Sequence, residues 1–135
     1  MKIQTHEEWM TEYFRDECKC AIVDLKLSNG DSFKFGVAVT DSADDCWGDE
    51  AYTHRAGSYV HQEYNDWYSL KKDYTVTRVS NADYLKAVNK KAYEIGESVN
   101  RDGGVFLISS NNAEKKDSAN VNEFLNQYEL DHEDD

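Results

Sequence analysis

The segment AIVDLKLSNGDSFKFGVAV, residues 21–39, constrains the fold more than any other. Ala21, Val23, Leu25 and Leu27 recur at every second position, as do Phe33, Phe35, Val37 and Val39. Each run therefore reads as a strand with one apolar face. The turn decides how the two runs pair. A two-residue Asn29-Gly30 loop would set Leu25 opposite Lys34 and send the two apolar sets to opposite sides. A three-residue Ser28-Asn29-Gly30 loop sets Leu25 opposite Phe33, Val23 opposite Phe35 and Ala21 opposite Val37. It also places Gly30 in the left-handed conformation that such loops require. The second register is the expected one.

The flanking sequence supplies helices. Thr5-His6-Glu7-Glu8 is a capping box: the Thr5 hydroxyl can accept from the Glu8 amide while the Glu8 carboxylate reaches back to Thr5. Trp9, Met10, Tyr13 and Phe14 then form one expected core-facing stripe, in a helix ending near Cys18. From 41 to about 72 the periodicity breaks, and an irregular region rich in acids and aromatics is expected, with one short strand or helical turn around 58–64. Tyr74 and Val76 alternate with Thr75 and Thr77 in a strand over 73–79. Leu85, Val88, Ala92, Ile95 and Val99 follow at helical spacing, predicting a single helix from about 81 to 99. Asp102-Gly103-Gly104 stops it, and Val105–Ile108 reads as a fully buried strand. Strand, helix, strand in so short a span predicts a right-handed parallel crossover. A short helix over 119–130, packing Val121, Phe124, Leu125 and Tyr128, precedes the acidic residues 131–135.

These elements predict an α+β fold: a small mixed sheet of about 4–5 strands with helices packed on one face. At 135 residues the length suits one domain, a globular unit over 1–130 with an acidic tail at 131–135. The hydrophobic share is 39%, but nine Tyr, five Phe and three Trp raise the area buried per side chain.

The formal net charge of −12 opposes direct binding to nucleic acid or to an anionic membrane, because both recruit Lys and Arg. The longest apolar stretch, 105–108, is far too short to span a bilayer, and the first ten residues lack the apolar region of a secretory signal. Three cysteines, an odd number, do not make a disulfide framework, so a cytoplasmic location is expected.

Chemistry-bearing motifs are sparse. Acids at 41, 44, 45, 49 and 50 do not match the calcium-loop spacing. Cys18, Cys20, Cys46, His54 and His61 lack the pairwise spacing of a structural zinc site. Cys46 as a nucleophile is opposed by the field of Asp44, Asp45, Asp49 and Glu50, which disfavours a thiolate. Gly103-Gly104 follows a helix and precedes a strand, the wrong order for a dinucleotide fingerprint. The expectation is a protein that is not an enzyme and uses no metal or cofactor.

The charge distribution is more specific. Residues 1–18 hold five acids and two bases, residues 41–50 five acids and no base, and residues 117–135 seven acids and no base. The rest of the chain carries a small positive excess. Glu8, Glu12 and Asp16 repeat every four residues, a ladder that like-charge repulsion disfavours within the helix. Dipole placement favours Glu8 but not Asp16. The blander alternative is a solvated helix face. Trp47, Tyr52, Tyr64, Trp67 and Tyr68 lie among or after the acids, and Tyr and Trp dominate interface hot spots, although in a small domain many such rings serve the core.

The expected contact residues are therefore Glu8, Glu12, Asp16, Asp41, Asp44, Asp45, Trp47, Asp49, Glu50, Tyr52, Tyr64, Trp67 and Tyr68. They suit a small acidic binding protein that inhibits or neutralises a basic, nucleic-acid-binding partner protein by occlusion or by DNA or RNA mimicry. In size and composition over the whole chain, though in no motif, it resembles phage-encoded anti-CRISPR and anti-restriction inhibitors and the immunity proteins of nuclease toxins. That likeness implies an anti-defence or immunity role in the cytoplasm (the host's, for a phage protein), as a monomer or homodimer. The alternative is a small-molecule or nucleotide-binding module built on the aromatic region 47–68.

Overall fold

A computed structural model describes residues 3–101 and 103–111. In chain order the elements are α1 (His6–Glu17), β1 (Cys18–Leu27), β2 (Ser32–Thr40), α2 (Asp41–Trp47) and α3 (Glu50–Val60). Two 3₁₀ turns at His61–Glu63 and Trp67–Ser69 lead to β3 (Lys72–Val79), α4 (Asn81–Val88), α5 (Ala92–Arg101) and β4 (Val105–Ser110). The α+β class stands.

The hairpin adopts the expected register, with Leu25 opposite Phe33, Val23 opposite Phe35 and Ala21 opposite Val37. Gly30 sits at φ +97°, and the Leu27 amide donates to the Asp31 carbonyl at 2.8 Å, closing the three-residue loop. The capping box is also as expected: the Glu8 amide donates to the Thr5 hydroxyl at 3.1 Å, and the Thr5 amide to the Glu8 carboxylate at 3.2 Å.

The sheet corrects the expectation of mixed strands. Its order is β3-β1-β2-β4, and every neighbouring pair is antiparallel. The reason lies in the stretch read as one helix. Asn89 takes a left-handed conformation, φ 55° and ψ 47°, and divides it into α4 and α5. Two helices in place of one return the chain to the end of the sheet it left, so β4 begins level with the end of β3 and on the opposite edge. The apolar series Leu85, Val88, Ala92, Ile95 and Val99 still packs into one cluster, across the break. As an edge strand, β4 is half-buried and not fully buried, and it carries a bulge opposite Lys34 and Phe35, a common device at sheet edges.

Helices cover both faces of the sheet and not one. Val23, Leu25, Phe35, Val37 and Val39 pack under α3, with Tyr52, Ala56 and Val60. The reverse face offers the small residues Cys18, Cys20 and Ala38, against which Phe14, Tyr84 and Ile95 of α1, α4 and α5 settle. A side chain such as Leu25 or Phe35, fully buried, contributes about 1.5–3 kcal/mol by leaving water. Small residues on β1 and β2 bring the second helical layer close to the sheet, and Gly96 does the same between α5 and α1: a Cβ there would stand 2.3 Å from the Met10 carbonyl oxygen. Within the α1 stripe Met10 and Phe14 are buried, but Trp9 is 59% exposed.

Within 41–60 the chain forms α2 and α3, joined by a turn at Gly48-Asp49, and is not irregular. The expected C-terminal helix over 119–130, the tail 131–135 and the acidic segment 117–135 lie outside the described residues. Among the described residues, no helix is long and apolar enough to cross a membrane.

Candidate functional site

Thr40, the last residue of β2, turns the acidic stretch into a helix. Its hydroxyl accepts from the Ala43 amide at 3.2 Å, an N-cap of the kind Ser and Thr provide. Gly48, at φ +57°, ends α2 and donates its amide to the Asp44 carbonyl at 2.8 Å. Two residues later α3 begins.

Arg78 of β3 ties this corner down. Its guanidinium lies 3.3 Å from the Asp44 carboxylate and 2.7 Å from that of Asp49, and 5.3 Å from the Tyr52 ring centroid. The Tyr52 hydroxyl donates to the second Asp44 oxygen. Burial works to raise the Asp44 pKa, but the hydrogen bonds from Tyr52 and Arg78, with the Arg78 charge, outweigh it and hold it below its ordinary value. Burial first, and then Asp44, push the Tyr52 phenol well above its own.

The thirteen expected contact residues accordingly separate. Tyr52 is fully buried and Trp67 nearly so; both belong to the core. Half-buried Tyr64 donates its hydroxyl to Asp31 at 2.8 Å, within the core's edge. Asp44 and Asp49 share one cation, Arg78, which leaves the trio one negative charge, and Asp41 lies 3.9 Å from Lys19. On α1, Glu8 serves the capping box, Glu12 is half-buried, and Asp16 pairs with Arg15 at 2.9 Å. Three exposed residues of this corner remain outside those pairs: Asp45 and Trp47 on α2 and Glu50 at the start of α3. Trp47 is 65% exposed, and neither Asp45 nor Glu50 makes an ion pair among the described residues. Tyr68 is 91% exposed, but it stands beside Lys72, away from α2.

The two described acidic segments do not merge. α1 packs on the Cys20–Ala38 face, whereas Ala43 of α2 packs with α3 on the Val23–Phe35 face. They approach each other only where Cys18 pairs with Thr40 at the end of the hairpin. Sequence reasoning missed Arg78 and Lys72. Their signal was the alternation of Lys72, Tyr74, Val76 and Arg78, which puts two cations on the same side of β3 as the buried rings.

Cys18 and Cys20 are buried, and burial chiefly pushes both thiols up to about 12; Cys46 is exposed. Among the described residues, no three His, Cys, Asp or Glu side chains gather as metal ligands. The chain matches no protein-family model, no curated protein and no solved structure.

Proposed function

We propose that this is a small acidic binding protein that blocks a basic surface on a nucleic-acid-binding partner protein. It acts by occupying that surface, without turnover, through the α2 corner. The observation that supports this reading is Trp47, 65% exposed, in a stretch of chain that also exposes the carboxylates of Asp45 and Glu50. An exposed aromatic anchor on an acidic segment complements Arg and Lys by stacking and by charge. The cap at Thr40 and the bridge through Arg78 hold the corner before any partner arrives, which lowers the ordering cost of binding. The net charge of −12 would steer a basic partner during encounter.

Occlusion through one corner fits better than imitation of a continuous phosphate backbone, because the α1 and α2 acids face opposite sides of the sheet. Three free cysteines suit a reducing cytoplasm.

The test is capture of basic proteins from a lysate at low salt, followed by competition between the captured protein's nucleic acid and this chain. Trp47→Ala should weaken the complex by about 2 kcal/mol, or roughly 30-fold. Asp45→Asn with Glu50→Gln should slow association and flatten its salt dependence. Binding that withstands all three changes and about 0.5 M salt would sink the reading.

A further inference from the structure

A second feature of the α3 face, separate from the α2 corner, has the opposite electrostatic character. Between α3, the 3₁₀ turn at Trp67–Ser69 and β3 lies an open groove of about 390 Å³, within the size range of small-molecule sites. Lys72, His54, His61, Trp67, Tyr68 and Tyr74 line it, and its lining contains no carboxylate. In a chain with 27 acids against 15 Lys and Arg, that is a local reversal of sign.

The cation is placed by rings and not by an acid. Lys72 Nζ lies 4.5 Å from the Trp67 ring centroid and 5.9 Å from that of Tyr68. It makes no ion pair among the described residues. His61 Nδ1 is 3.0 Å from the Ser58 carbonyl oxygen; a carbonyl only accepts, so Nδ1 carries the proton. Nε2 of the neutral ring is left as an acceptor, suited to a donor on a base and not to a phosphate. His54 is exposed and makes no side-chain hydrogen bond among the described residues. Trp67 is nearly buried, whereas Tyr68 is 91% exposed, a free aromatic face at the rim.

We infer that this groove binds a mononucleotide-sized aromatic anion, with its phosphate at Lys72 and its base against Tyr68. The proximity of Lys72 to both rings selects such a ligand over its halves. An anion held by that ammonium has an aromatic platform within one side-chain length, and a planar base has its charge partner equally near. Neither inorganic phosphate nor an uncharged nucleoside uses both.

The experiment is an amide and indole NMR titration of the full chain with purine and pyrimidine 5′-mononucleotides, the matching nucleosides and inorganic phosphate. The three Trp indoles are assigned with Trp9→Phe and Trp47→Phe, both exposed sites. Mononucleotides should shift the Trp67 indole saturably, and the nucleosides and phosphate should bind about tenfold more weakly or worse. Lys72→Gln, with its fold checked by thermal melting, should weaken binding by about tenfold, and Tyr68→Ala by a similar factor. The inference is overturned if no mononucleotide moves Trp67 at millimolar concentration. It is equally overturned if phosphate alone binds as tightly, or if Lys72→Gln and Tyr68→Ala leave the titration unchanged.

Discussion

Arg78, on edge strand β3, places its guanidinium 2.7 Å from the carboxylate of Asp49, the residue that precedes α3. The same guanidinium reaches Asp44, so one arginine spans both helices and fastens their junction to the sheet. Arg78 is 48% exposed, and a pair at such a site is worth about 1 kcal/mol or less. Its larger consequence is positional. Arg78→Met should lower the urea midpoint only modestly, yet amide exchange across 41–50 should quicken, because the corner loses its tether. Unchanged exchange in that segment would show that the caps at Thr40 and Gly48 suffice.

Tyr52 and Asp44 supply a pH signature. The Asp44 carboxyl is held below its ordinary value of 3.8, so the folded state binds its proton less readily than the unfolded state. The stabilisation is therefore complete above pH 3.8 and is lost as pH falls through the lower folded value. Tyr52→Phe removes one of the hydrogen bonds responsible. At neutral pH this variant should be less stable by about 1–2 kcal/mol, and the gap to the native chain should narrow in acid. Urea denaturation at a series of pH values measures it; a gap constant to about pH 2.5 contradicts the argument.

Gly96 is where α5 touches α1. A methyl group there would meet the Met10 carbonyl, a backbone atom that cannot rotate away. Alanine ordinarily strengthens a helix by up to about 1 kcal/mol over glycine, but overpacking costs about 1–3 kcal/mol. Gly96→Ala should thus lower the melting temperature. Gly57→Ala should cost less, since its nearest neighbour is the hydroxyl end of Tyr74. A rise in melting temperature for Gly96→Ala would refute the close packing.

The parts of this fold that were legible in the sequence are those whose signal is local. The hairpin register followed from the turn length and two alternating runs, and the first helix from its capping box. α3 was not legible because Ala51, Tyr52, Ala56 and Val60 give a weak apolar stripe, two members being alanine. The division of α4 from α5 rests on one asparagine at positive φ, which the apolar periodicity passes through undisturbed. Strand order was hidden for the same reason, because a single helix and a broken one imply different directions for β4. At the candidate surface, acids and aromatics were visible as composition but not their exposure. Tyr52 and Trp47, five positions apart, face core and solvent respectively, and Arg78 meets Asp44 from 34 positions away.

The three cysteines separate by burial in a way that also probes the α2 corner. Cys18 and Cys20 lie under the helical layer formed by α1, α4 and α5, with thiols pushed up to about 12 by burial above all. The thiolate is the reacting species, so neither should react with an aromatic disulfide reagent in the native protein near pH 8. Cys46 is exposed and adjacent to Trp47. One equivalent should therefore react in the native protein, slowed by the surrounding acids but not blocked, and the other two only after denaturant is added. The adduct at Cys46 would crowd Trp47 and, with a carboxylated reagent, add a negative group to the α2 corner. Modified protein should retain its native circular dichroism and lose its basic partner. Reaction of two or more thiols in the native protein would contradict the buried placement of Cys18 and Cys20. Full partner binding by the modified chain would argue that the contact surface lies elsewhere than around Trp47.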